Sequence, residues 1–103
     1  MADFYIKQND TRPIVTAILA IDGSIVDLTG AAVRFHMGGI VDSEAEIVNA
    51  QDGVVKYSWV IGDTNMAGWY SAEFEVTFVD GRIETFPNTI NDKLNIVIPE
   101  ELA

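Results

Sequence analysis

Cysteine is absent from this sequence, which excludes disulfides and thiolate metal sites and leaves the core alone to hold the fold. Basic side chains are scarce. Six Lys and Arg stand against sixteen Asp and Glu, a net charge of −10 that repels phosphate backbones and anionic lipid, so nucleic acid and membranes are not expected partners. No apolar run approaches the roughly 18 residues a membrane helix needs. The start, Met1-Ala2-Asp3-Phe4-Tyr5-Ile6-Lys7, lacks the basic region and apolar stretch of a signal peptide. Repeats, low-complexity tracts and linkers are missing as well. With a single histidine, His36, and neither a glycine-rich phosphate loop nor a redox motif, no cofactor is expected.

What is present is β patterning. At 103 residues, with apolar side chains spread evenly, the expectation is one domain over residues 1–103. Turn formers recur at Asn9-Asp10 with Pro13, Asp22-Gly23-Ser24, Gly30, Gly38-Gly39, Asp52-Gly53, Gly62-Asp63 through Gly68, Asp80-Gly81 and Pro87-Asn88. Strands are predicted near residues 3–8, 14–21, 31–37, 44–48, 54–60, 69–79, 82–86 and 93–98. The clearest is the stretch from Gly68 to Pro87. Tyr70, Ala72, Phe74, Val76 and Phe78 share one parity while Ser71, Glu73, Glu75 and Thr77 share the other, the period of two of a half-buried strand. Asp80-Gly81 then reverses the chain into an antiparallel hairpin.

Similar alternation puts Val33, Phe35 and Met37 inside with Arg34 and His36 outside, groups Val55, Tyr57 and Trp59, and recurs in Leu94, Ile96 and Ile98. Ile14 to Ile21 is apolar on both parities apart from Thr16, which predicts a central strand covered on both sides. Val41 to Asn49 reads as a loop leading into an edge strand, and Asp63 to Ala67 has room for one helical turn. About eight strands in such a chain predict an all-β, immunoglobulin-like antiparallel two-sheet sandwich. Tyr70, near the start of the longest strand, suits a tyrosine corner, whose hydroxyl bonds back to upstream backbone.

The chemical candidates are few. A hydrolytic triad would need a base against a nucleophile, and His36 alternates with Arg34 on the wet face. Glu73 and Glu75 sit about 7 Å apart along one strand face, not across a cleft, so they are expected to be solvated surface. Asp22, Asp52, Asp63 and Asp80 lie in turns without the dense spacing of a calcium loop. Catalytic and metal residues are therefore expected to be absent. Trp69, opposite in parity to Tyr70 and Phe74, points outward, where an indole anchors a partner or stacks on a sugar. Val60 and Ile61 extend that candidate patch, as does Val97 near the other end.

Four phrases occur in order: Ile6-Lys7-Gln8-Asn9-Asp10-Thr11, Val26-Asp27-Leu28-Thr29-Gly30-Ala31, Gly68-Trp69-Tyr70-Ser71-Ala72-Glu73-Phe74-Glu75-Val76, and Asp80-Gly81-Arg82-Ile83-Glu84-Thr85-Phe86-Pro87. Together they resemble the immunoglobulin-like N-terminal domain of phage baseplate upper proteins and related tailed-phage structural proteins. The resemblance covers almost the whole chain. It implies a non-enzymatic virion protein, made in the host bacterial cytoplasm, that docks on a tail or baseplate core and brings no catalytic residues. Homo-oligomerisation stays open. This chain stops at Ala103, whereas baseplate upper proteins look like this domain followed by a linker and oligomerising segments. That departure keeps two alternatives: a neck or capsid accessory protein, and a carbohydrate-binding sandwich.

Overall fold

Alternating apolar and polar side chains become ten strands in the computed structural model, which describes residues 3–87 and 93–102. They are β1 (Asp3–Tyr5), β2 (Val15–Ile18), β3 (Ala20–Ile21), β4 (Ser24–Ile25), β5 (Ala32–Met37), β6 (Val41–Asn49), β7 (Val54–Tyr57), β8 (Gly68–Thr77), β9 (Ile83–Phe86) and β10 (Leu94–Ile98). Among the described residues there is no helix, so Asp63 to Ala67 forms turns and not the helical turn for which it had room. Asn88, of the expected Pro87-Asn88 turn, lies outside the described residues, as do Met1 and Ala2.

Seven strands run in the order β1-β10-β8-β5-β6-β7-β2, with β9 also on β8, as a sheet nearly closed into a barrel; β3 and β4 form a separate small hairpin. Its centre is β8, ten residues long, which pairs with β5 along one side. Along the other side it pairs with β10 through Gly68–Ala72 and with β9 through Phe74–Thr77. The β8-β9 hairpin closes as its sequence predicts. Gly81 holds φ 87, and its amide donates to the Phe78 carbonyl at 2.8 Å.

Three expectations are corrected. Ile14 to Ile21 is not a central strand: among the described residues β2 ends the sheet, pairs with β7 alone and exposes Ile18. Its second half is apolar for another reason, because Asp22 and Gly23, both at positive φ, fold Ala20–Ile21 back on Ser24–Ile25. Conversely, the expected loop and edge strand at Val41 to Asn49 is one nine-residue strand inside the sheet, pairing first with β5 and then with β7. Small inward residues, Ser43 and Ala45, had muted its alternation. Finally, the sheet is not wholly antiparallel. β1 lies parallel to β10, which a crossover as long as the whole intervening chain permits.

The core gathers Phe35, Tyr57, Trp59 and Phe74, with Val33, Met37, Val55, Val76, Ile96 and Ile98 around them. Phe35 stacks on Tyr57 with centroids 4.6 Å apart and meets Trp59 edge-on at 5.8 Å. Trp59 also bridges the two ends of the sheet: its ring packs 6.2 Å from Phe4 on β1, and its Nε1–H donates to the carbonyl of Pro13, just before β2, at 3.0 Å. Tyr70 and Phe78 pack on the rim of this core and are only partly buried.

Candidate functional site

Strand β7 ends at Tyr57, earlier than the predicted residue 60, so Val60 and Ile61 belong to a loop. Asp63 fixes that loop. Its Oδ2 accepts the Tyr57 hydroxyl at 2.5 Å and the Val60 amide at 2.9 Å, while its own amide donates to the Val60 carbonyl. Burial, and then the bond to Asp63, push the Tyr57 phenol up to about 12. The Thr64 hydroxyl donates to the Asp10 carbonyl at 2.7 Å, and the Gln8 side-chain amide donates to the Asn65 carbonyl at 2.9 Å. Where the loop enters β8, the Tyr70 hydroxyl donates to the Met66 carbonyl at 2.8 Å, the back-bond of a tyrosine corner.

This well-tethered segment carries apolar side chains outward. Val60 and Met66 are exposed, Ile61 is 91% exposed and Trp69 is 67% exposed. A rigid base matters, because an anchor that is already ordered loses less entropy on binding. Sequence reasoning missed a further member, Tyr5. The pairings Tyr5↔Val97 and Val97↔Trp69 set these three side by side on the outer face of β1, β10 and β8. Phe4 and Ile6 share the apolar parity of residues 3–8, a signal that leaves Tyr5 outward, but only the β1–β10 pairing sets it in line with Trp69.

Charges line the outer face of β5, β6 and β8. Arg34 lies between Glu44 and Glu75, and His36 between Asp42 and Glu73, on the neighbouring strands. Arg34 Nε donates to Asp42 Oδ1 at 2.9 Å, and its Nη2 to the Asp42 carbonyl at 3.0 Å. His36 is half-buried and not fully in water, with Nδ1 3.4 Å from Asp42 Oδ1 and Nε2 3.7 Å from Glu75 Oε1. Arg34 and Asp42 form a cross-strand charge pair on the sheet surface, with the His36 ring beside it. Where β6 leaves β5 to join β7, a groove of about 360 Å³ opens between Ala31, Val33, Ala45 and Ile47. Arg34, Glu44 and Thr77 also line it, with Arg34 turned to Asp42. Among the described residues, no group of three His, Asp or Glu side chains is placed to hold a metal ion, and no helix is long and apolar enough to cross a membrane.

An all-β module, its main sheet nearly closed into a barrel and its distinctive chemistry on an outer face and a tethered loop, is the class this geometry defines. Residues 2–95 match the family model of the BppU N-terminal domain, and the chain belongs to that family, the N-terminal domain of phage baseplate upper proteins. It is therefore a phage baseplate structural domain. No curated protein matches the chain. Among solved structures, the chain is similar to the crystal structure of CopC from Methylosinus trichosporium OB3b, with a TM-score of 0.55 and 13% identity over 100% of this chain and 89% of that one. At that identity the likeness concerns the fold alone.

Proposed function

We propose that this chain works as one non-enzymatic, immunoglobulin-like domain of the virion that docks on the tail or baseplate core, with Trp69, Val60 and Ile61 in the contact. Family membership supports the location, and the exposed Trp69 at the head of the sheet's longest strand carries the choice of surface. An exposed indole beside a tethered apolar loop loses solvent-facing area without reorganising, the property of an interface anchor. Catalysis has no support in the arrangement, because Arg34 and His36 lie against Asp42 and Glu75 on the outer face of the sheet, with no nucleophile set against a base among the described residues.

Mass spectrometry of purified virions after cross-linking tests this reading. The polypeptide should be present and linked to tail or baseplate proteins, and Trp69→Ala, Val60→Ser and Ile61→Ser together should deplete it from particles. Virions without this polypeptide, or an unchanged content of the triple variant, would overturn it.

A further inference from the structure

Resting on the docking role just proposed, we infer that the outer row Tyr5–Val97–Trp69 receives a cationic, Arg- or Lys-bearing segment of the partner protein. Inward parity on β10 belongs to Leu94, Ile96 and Ile98, so Val97 faces away from the core, yet it is only 7% exposed. Tyr5 and Trp69 stand directly beside it, one on each side. Two inter-strand spacings, about 10 Å, separate the strands that carry these two aromatics. At 59% and 67% exposed, both keep much of their surface toward solvent over the valine.

The next row along the same face is Asp3, Asn95 and Ser71, with the Asn95 amide donating to Asp3 Oδ1 at 3.0 Å. Beyond Ser71 the outward residues of β8 are Glu73 and Glu75. Aromatic faces with the Asp3 carboxylate in the adjoining row attract a guanidinium or ammonium twice over, through the ring quadrupole and through charge, and both terms disfavour an anion. The whole-chain charge of −10 points the same way, because a partner that approaches this domain is steered by positive surface. Net charge thus favours a basic partner segment over a neutral glycan, which this field does not steer.

The test titrates the ¹⁵N-labelled chain with the peptide acetyl-Arg-Val-Arg-Val-Arg-amide, with its Glu counterpart, and with maltohexaose. The arginine peptide should shift the Trp69 indole N–H and the Tyr5 and Val97 amides. Trp69→Ala and Asp3→Asn should each weaken the apparent affinity about two- to fivefold, the range of one exposed cation–π contact. Raising ionic strength to 1 M should weaken it further, since the Debye length there is about 3 Å. Trp69 is exposed, so its removal leaves the fold intact, and unchanged spectra elsewhere check this. No shift with the arginine peptide, an equal response to the glutamate peptide, or shifts of these residues by maltohexaose would each refute the inference. The peptide arms are independent of virion content, so this idea and the docking role can fail separately.

Discussion

Replacing Asp63 by alanine is the sharpest way to ask whether the loop carrying Val60 and Ile61 is held by one carboxylate. In the folded chain Asp63 Oδ2 accepts two hydrogen bonds, from the Tyr57 hydroxyl at 2.5 Å and from the Val60 amide at 2.9 Å. A hydrogen bond to a charged group contributes about 1.5–3 kcal/mol net, and a buried donor left without its acceptor costs about 1–3 kcal/mol. The Tyr57 ring is buried under Phe35 and Trp59, so its hydroxyl cannot turn freely to water, whereas the Val60 amide is exposed and regains water readily. Asp63→Ala should therefore destabilise by about 2–3 kcal/mol, most of it through Tyr57, whose hydroxyl is left with Ser43 alone. Tyr57→Phe removes the donor itself and leaves Asp63 on Val60 and solvent, at a cost of about 1 kcal/mol.

Urea unfolding of both variants and of the double variant, followed by near-ultraviolet circular dichroism, gives the coupling directly. The double variant should be no less stable than Asp63→Ala alone, because with Tyr57 gone no donor is stranded. In a domain of this size the Asp63→Ala loss corresponds to a fall in Tm of roughly 10–20 °C. Hydrogen exchange at the Val60 amide should accelerate in Asp63→Ala while amides of β5 and β8 report only the global change. If Asp63→Ala costs no more than Tyr57→Phe and Val60 exchange is unaltered, the carboxylate does not hold this loop.

Three further outcomes follow from the same geometry. Because the Tyr57 phenol is raised to about 12 against 10.0 unperturbed, its contribution to stability is complete below pH 10 and is lost as pH rises toward 12; Tyr57→Phe should flatten that stretch of a stability-versus-pH curve, and an unflattened curve counts against the assignment. Phe35→Ala, which empties the fully buried contact point of Tyr57, Trp59 and Phe74, should cost about 3–5 kcal/mol in urea unfolding, and a loss below 1 kcal/mol contradicts the packing described. Gly53→Ala should destabilise by more than 1 kcal/mol in thermal melts, since the residue holds φ 66 and a Cβ would sit 2.9 Å from the carbonyl oxygens of both Leu19 and Val26; a neutral result means the β2-β3 corner relaxes.

What the sequence determined by itself was side-chain direction. A pleated strand imposes a period of two, so Phe35, Tyr57, Phe74 and Ile96 were assigned inward, and Trp69, Glu73 and Glu75 outward, from local order alone. Turn chemistry was equally local: Asp80-Gly81 placed the β8-β9 hairpin because only a few residues were involved. Tertiary structure decided which strands became neighbours, since pairing partners far apart in sequence are chosen by sheet curvature and loop closure, which leave no periodic trace. That is why Ile14–Ile21 reads as a central strand, why Val41–Asn49 reads as a loop leading into an edge strand, and why the parallel pairing of β1 with β10 is invisible in the sequence. Outward Trp69 was legible from its parity, but the row it forms with Val97 and Tyr5 exists only because the first and last strands meet side by side.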